Sequence, residues 1–319
     1  MTMFWRLVLV AVALARPTGL LAQPDAAQPD AAAFRNHRYL DFYRAHRDPS
    51  YISPAGELGA PGTYVINGEQ LASYFLLATP ASRWSVAVTQ RFMARTRTDR
   101  SGPIRTPSFR LGAQVYYRLS PDVVNFRYVE GQLFHHSNGQ DGPVFRPNGT
   151  FNTETGDFST NYLQATYNWG THRQARAGTH YALGYRWHAP FFNHSEGLAG
   201  NYGFGRLLGQ ASYRILARVT SGGLAQTQKI TTDVERLRLT LQVSYAVNPL
   251  TNWALGAALR RFNTELTAWY VPPFSRDAGV FATVGYYGED PYNIYFNDRY
   301  AFLRLGIAAG FTRYTDHQN

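Results

Sequence analysis

The sequence contains no cysteine. That excludes disulfides, thiolate zinc sites and cysteine nucleophiles together. It leaves the compartment open, because many exported chains also avoid cysteine. Lysine is reduced to Lys229, and charged residues make up 16% of 319, against the roughly 25% usual in soluble domains. No stretch approaches the ~18 apolar residues of a bilayer-spanning helix. The net charge of +10 comes almost wholly from scattered arginines. With no basic run and no RNA-binding aromatic motif, nucleic acid is not an expected partner. Arginines inside a barrel, or facing anionic lipid headgroups, account for the charge better.

What is abundant points to β-structure with tight turns: 22 Tyr, 20 Phe and 28 Gly. Residues 1–22 read as an export signal. Arg6 supplies the charge, Leu7 to Ala15 form a short apolar core, and cleavage falls near Ala22, although Leu20 fits the small-x-small pattern poorly. Residues 23–47 read as a polar periplasmic leader that starts as a mobile Ala/Pro/Asp/Gln spacer. From there a barrel is expected over 48–312, followed by a tail over 313–319.

Two-residue alternation fills the barrel region. Leu237, Leu239, Leu241, Val243, Tyr245 and Val247 oppose Arg236, Arg238, Thr240, Gln242 and Ser244. Residues 109–119 and 301–311 repeat the pattern, with Arg110 and Arg118 on the polar side of the first. Further strands are expected at 49–56, 68–78, 83–96, 122–136, 161–170, 177–188, 252–262, 263–271 and 278–288. The result is an all-β chain, a transmembrane antiparallel β-barrel of about twelve strands, with fourteen reached if 201–232 is an extra hairpin rather than a long loop. Alternation alone also fits a soluble barrel with apolar side chains inside. Arginine-rich polar faces, aromatic-rich apolar faces and the export signal favour the outer membrane of a Gram-negative cell, since among non-helical structures only a closed barrel satisfies its backbone in lipid.

The chemistry is concentrated in Gly131-Gln132-Leu133-Phe134-His135-His136-Ser137-Asn138-Gly139-Gln140-Asp141-Gly142. A serine needs a base to lose its proton near neutral pH. On a strand, i and i+2 share a face, so His135 and Ser137 stand side by side. Phase puts both in the row with Val129, Gly131 and Leu133, on the lipid-facing wall. His136 falls in the other row, where it reads as a lumen histidine satisfied by a neighbour such as Glu130. A base also needs an orienting group. Asn161, in a row with Leu163, Ala165, Tyr167 and Trp169, faces outward on the next strand and is placed beside His135 across the hairpin. Backbone N–H groups of Asn138 and Gly139 are candidate oxyanion donors.

His-x-Ser-Asn-Gly at one strand's end, with Asn opening the next, resembles outer-membrane phospholipase A. The resemblance extends over about 46–311. His46 to Pro54 is similar to the family's first strand, and Val88-Thr89-Gln90 to its third. Tyr287-Gly288-Glu289-Asp290-Pro291-Tyr292-Asn293 with Phe296-Asn297 resembles its C-terminal hairpin. The segment 201–232 fits poorly. The resemblance implies a twelve-stranded barrel that hydrolyses acyl esters of phospholipids, needs Ca2+ and is switched on by homodimerisation. It assigns Ser137 as nucleophile, His135 as base and Asn161 as orienter. Calcium ligation would fall to Asp141 and Ser101, and Gln90 is either a dimer contact or a lumen hydrogen-bond partner. Gln140 departs from the family's usual Arg, the acidic residue comes one position early, and the chain runs eight residues past Phe311. Two other functions carry distinct signatures. A lipid A deacylase would use an acidic third member and a shorter chain. A porin-like barrel would conduct ions and leave Ser137 inert.

Overall fold

The apolar row of each strand faces out. Leu239 and Leu241 are both 42% exposed, while Arg238 and Thr240, which alternate with them, are buried at 3% and 2%. Leu183, Leu207, Leu266, Val280, Val284 and Ile307 are likewise exposed, and Arg214, Thr267 and Arg304 are buried. A barrel for water has the opposite arrangement. An apolar exterior around a polar lumen is the pattern of outer-membrane barrels. The computed structural model describes residues 38–62, 64–78, 82–98, 104–173, 176–188, 195–221, 230–275, 278–295, 298–311 and 313–316; the expected export signal and Ser101 lie outside them.

Twelve antiparallel strands close the ring: β1 (Ser50–Ser53), β2 (Tyr64–Leu77), β3 (Trp84–Arg97), β4 (Ile104–Arg118), β5 (Arg127–Ser137), β6 (Ser159–Arg173), β7 (Ala177–His188), β8 (Gly205–Ser221), β9 (Ile230–Ala246), β10 (Phe262–Tyr270), β11 (Ala278–Tyr287) and β12 (Tyr300–Ala309). Closure comes from β1, which pairs with both β2 and β12 (Ser50 opposite Ala309, Ile52 opposite Ile307). A four-residue β13 (Arg313–Asp316) continues the edge of β9 beyond the end of β10, where a plain tail was expected.

The expected strand number holds through two offsetting errors. Residues 252–262 are not a strand. They form a turn and a short helix, Ala258–Arg261, because Arg261 is buried donating to the carbonyls of Ala246, Asn248, Trp253 and Ala254 at 2.8 Å each. The apparent alternation there came from Leu255 and Leu259, both exposed on a protruding loop. The missing strand is β8, inside 201–232. Its outward row holds Leu207, Ala211, Tyr213 and Ile215, but the inward row also carries Leu208 and Leu216 beside Arg206, Ser212 and Arg214, so adjacent apolar pairs hide the period. The register shift at Ile215 leaves Arg236 of β9 as the extra residue.

Residues 38–45 form a helix, and it is not a leader outside the barrel. Tyr39, Phe42 and Tyr43 recur at helical spacing and pack on Ala87, Tyr116, Phe126, Tyr128 and Leu216 at the short-turn end of the lumen. The helix is tied in place where Arg214 donates to the Ala45 carbonyl at 3.0 Å and Arg238 to that of Arg47 at 2.8 Å. Arg118 stacks over Tyr39, and Arg236 donates to the carbonyls of Pro272 and Ser275 just after β10. At the other mouth, Arg95 meets Asp290, and Glu289 receives Arg206 and Arg260. Between these two closures lies a cavity of about 320 Å³ lined by groups such as Arg91, Arg110, Gln114, Arg186 and Gln242.

The plug carries a carboxyl that titrates between acid and neutral pH. Burial, opposed by nearby Arg38 and Arg44, pushes the Asp41 carboxyl from 3.8 up to about 6, and its Oδ2 has no hydrogen-bond partner. An acid whose folded pKa is raised costs stability once it ionises, so stability falls as pH rises from about 4 to about 6. Asp41→Asn should match the wild type in urea midpoint at pH 4 and exceed it at pH 7. Parallel pH profiles for the two proteins would contradict this.

Candidate active site on the outer wall

β5 and β6 form a hairpin whose ladder runs without a slip from Arg127 opposite Trp169 to Ser137 opposite Ser159, and it sets His135 opposite Asn161. Along β5 the inner row, Tyr128, Phe134 and His136, is buried, and His135 and Ser137 belong to the outer row with Leu133. Asn161 is in the outer row of β6 with exposed Leu163 and Tyr167. Nδ1 of His135 lies 2.8 Å from Oδ1 of Asn161. A carbonyl oxygen only accepts, so Nδ1 carries the proton and Nε2 is the basic nitrogen. The same strand phase that brings Ser137 to this face keeps it one pleat beyond the imidazole.

Each letter of the motif has a local task. Gly139 adopts φ +68°, and a Cβ on it would come within 3.0 Å of the Phe109 ring, so glycine is required here. Its N–H donates to Ser137 Oγ at 3.0 Å. Asn138 is fully buried and closes the base of the 138–158 loop: Nδ2 donates to the Gly156 carbonyl at 2.9 Å, and Oδ1 accepts from the Phe158 N–H at 3.0 Å. The backbone N–H of Asn138 donates to the Phe158 carbonyl at 3.3 Å. Of the two expected oxyanion donors, the one directed at the hydroxyl is therefore Gly139. Asn138 acts on the loop instead.

His136 points into the lumen as expected, but not toward Glu130. Its Nε2 pairs with Ser108 Oγ at 2.7 Å, with Arg110 Nε at 3.5 Å. Glu130 instead accepts from Gln114 and Gln132 at 2.8 and 2.9 Å. Gln90 is on the outer wall and exposed, which removes the lumen reading. It shares a lateral row with the site, since Gln90 faces Leu111 and Leu111 faces His135. Two strand spacings put it about 10 Å from the imidazole. The sequence reading missed Phe109, which stands opposite Ser137 on β4 and packs against Phe92 with ring centroids 5.0 Å apart. The outward phase of 109–119 combined with the β4–β5 register would have found it.

Asp141 is exposed in the loop after the motif. Beside it, Gln140 Oε1 is buried without a hydrogen-bond partner, and Gln140 Nε2 donates to the Glu154 carbonyl at 2.6 Å. These are oxygen donors of the kind calcium takes, but two fall far short of its usual six to eight. Among the described residues no group of three or more His, Asp or Glu side chains is placed to hold a metal.

No family model matches the sequence, and no curated relative matches it. Solved structures do. Outer membrane phospholipase A from Escherichia coli superposes with a TM-score of 0.53 at 13% identity, covering 82% of this chain and 96% of that one. The Salmonella typhi outer membrane phospholipase, solved as a dimer with bound calcium, gives 0.52 at 12% identity, covering 82% and 90%. An E. coli active-site mutant with Asn replaced by Ala gives 0.52 at 12% identity, covering 88% and 98%. At such identity the likeness establishes the fold: a twelve-stranded barrel of the outer-membrane phospholipase type.

Proposed function

We propose that this chain is an outer-membrane serine hydrolase that cleaves fatty acyl esters of phospholipids. The observation that carries the reading is the 2.8 Å bond between His135 Nδ1 and Asn161 Oδ1 on the outward wall, in the row that also presents Ser137. Polar groups on a lipid-facing surface are costly unless they have a use, and a substrate reaching that wall is itself a membrane lipid. The fold of the phospholipase neighbours supports the same reading, as does the Asn in the active site of the E. coli protein. The lumen, closed by the helical plug and by the arginine–carboxylate groups of the opposite mouth, counts against a porin.

In the proposed reaction Nε2 of His135 takes the Ser137 hydroxyl proton as Oγ attacks the ester carbonyl. The Gly139 N–H, already at Oγ, is the nearest donor to the oxyanion that forms. The imidazolium returns its proton to the departing alcohol oxygen, leaving an acyl-serine and the lysophospholipid. Water, deprotonated by His135, then releases the fatty acid and regenerates the hydroxyl. Asn161 keeps the ring in the tautomer that these steps need without adding a charge to the wall. Asn161→Ala should lower the kcat of fatty-acid release by on the order of 10²-fold with KM little changed, because an orienter acts on the base rather than on substrate binding. An unchanged kcat would remove Asn161 from the mechanism.

Calcium and a homodimer belong to the same proposal. Asp141 and Gln140 would contribute oxygens to the ion and Ser101 is a further candidate; bound there, calcium would supply positive charge near the oxyanion. Among the described residues the loop after the motif offers two side-chain oxygen donors, Asp141 and Gln140, and Gln90 is an exposed amide in an apolar wall. Both features fit an association of two copies along the β3–β5 face. Calcium titration of activity and of sedimentation reads the two together.

A further inference from the structure

In the ring order, β11 and β12 lie across the barrel from β5 and β6. The described part of the loop between β11 and β12 crosses the long-loop mouth and reaches the inner side of the β5–β6 hairpin. Asn293 makes the contact. It is fully buried, and its φ of +57° is a left-handed conformation uncommon outside glycine. Its Nδ2 is shared among the His136 carbonyl at 3.4 Å, the Phe158 carbonyl at 3.5 Å and Thr160 Oγ1 at 3.4 Å. Its Oδ1 accepts from the Tyr202 hydroxyl at 2.9 Å.

Those three acceptors frame the site. The His136 carbonyl belongs to the peptide that carries the nitrogen of Ser137. The Phe158 carbonyl is also the acceptor for the Asn138 N–H. Thr160 precedes Asn161. One side chain thus touches both strands within a residue of the nucleophile and of the orienter. Arg110 holds the same loop in place by donating to the Pro291 carbonyl at 2.5 Å. The β5–β6 ladder stops at Ser137 and Ser159, and ladder ends with a long loop beyond them are where strands separate first. Asn is among the few non-glycine residues that adopt this left-handed backbone, and the surrounding contacts hold Asn293 in it.

We propose that Asn293 is a positioning residue: from inside the mouth, its amide fixes the spacing between the Ser137 end of β5 and the Asn161 end of β6. The proposal rests on the hydrolase reading above. It reaches no substrate and acts only through the geometry of Ser137, His135 and Asn161. Displacements near 1 Å in such an arrangement can cost up to about 10²-fold in rate.

The test uses two variants. Asn293→Gly leaves the left-handed backbone accessible and removes the amide. Tyr202→Phe keeps the amide and removes the hydroxyl that anchors its other end. Steady-state hydrolysis of phospholipid in mixed micelles gives kcat and KM, and urea unfolding gives stability. Asn293→Gly should lower kcat by about 10-fold with KM within about twofold, and Tyr202→Phe by roughly two- to threefold, with both barrels retaining their heat-dependent gel mobility. Should Asn293→Gly fail to assemble, Tyr202→Phe decides alone. A kcat equal to wild type, with only the urea midpoint lowered, would show a purely structural role and overturn the proposal. A wild type that releases no fatty acid would overturn the hydrolase reading and this proposal with it.

Discussion

Ser137→Ala is expected to reduce fatty-acid release from phospholipid micelles by on the order of 10⁴-fold or more, leaving a barrel that still shifts in gel mobility on heating. The size follows from the mechanism. Without Oγ no acyl-enzyme forms, and His135 has no nucleophile to deprotonate. The barrel survives because Ser137 is at the end of its ladder, facing outward, and its Oγ accepts from the Gly139 N–H beyond the ladder. Removing a hydroxyl from a lipid-facing wall also removes a polar group from an apolar surrounding. His135→Ala should cost about as much, and the double variant little more, since residues acting as one unit lose their effect together. A Ser137→Ala protein with wild-type hydrolysis would end the proposed function.

Glu289→Ala should be the most damaging single change to stability, at about 3–5 kcal/mol, read as a lowered urea midpoint. Glu289 is 1% exposed and receives two buried guanidiniums, Arg206 and Arg260, together with the Gly203 N–H at 3.0 Å. Truncation leaves two like charges in the mouth of the lumen with no counter-ion between them. Glu289→Gln keeps the shape but not the charge and should fall between. A midpoint within error of wild type for the Ala variant would mean that water or other carboxylates satisfy both arginines.

Much of the outer wall was legible because a strand's period of two is unforgiving. Leu237 to Val247 and Ala301 to Phe311 announce their phase, and a slip of one residue would turn every arginine to lipid. The same phase separated His135 from His136, and hairpin register alone placed Asn161 opposite His135. The β8 strand stayed hidden because Leu208 and Leu216 put apolar side chains into its inward row next to Leu207 and Ile215. The 38–45 helix was hidden differently. Tyr39, Phe42, Tyr43 and His46 have helical spacing, but charged neighbours and a low-complexity lead-in made the segment read as a solvated leader. The Asn138 N–H, expected as an oxyanion donor, is taken by the Phe158 carbonyl, because a loop's hydrogen bonds depend on where a distant residue such as Gly156 or Phe158 arrives. No local period records that. Asn293 was out of reach for the same reason, since its partners come from β5, β6 and the loop that carries Tyr202.

The central claim is that an outward-facing serine, activated by His135, meets substrate in the membrane. Its most direct test is covalent capture: the purified barrel is treated with a long-chain alkyl sulfonyl fluoride, digested, and the adduct located by mass spectrometry. The account predicts one adduct, on Ser137, lost in His135→Ala. An adduct on a different residue, or a phospholipid-cleaving wild type that takes up no label at Ser137, would contradict it.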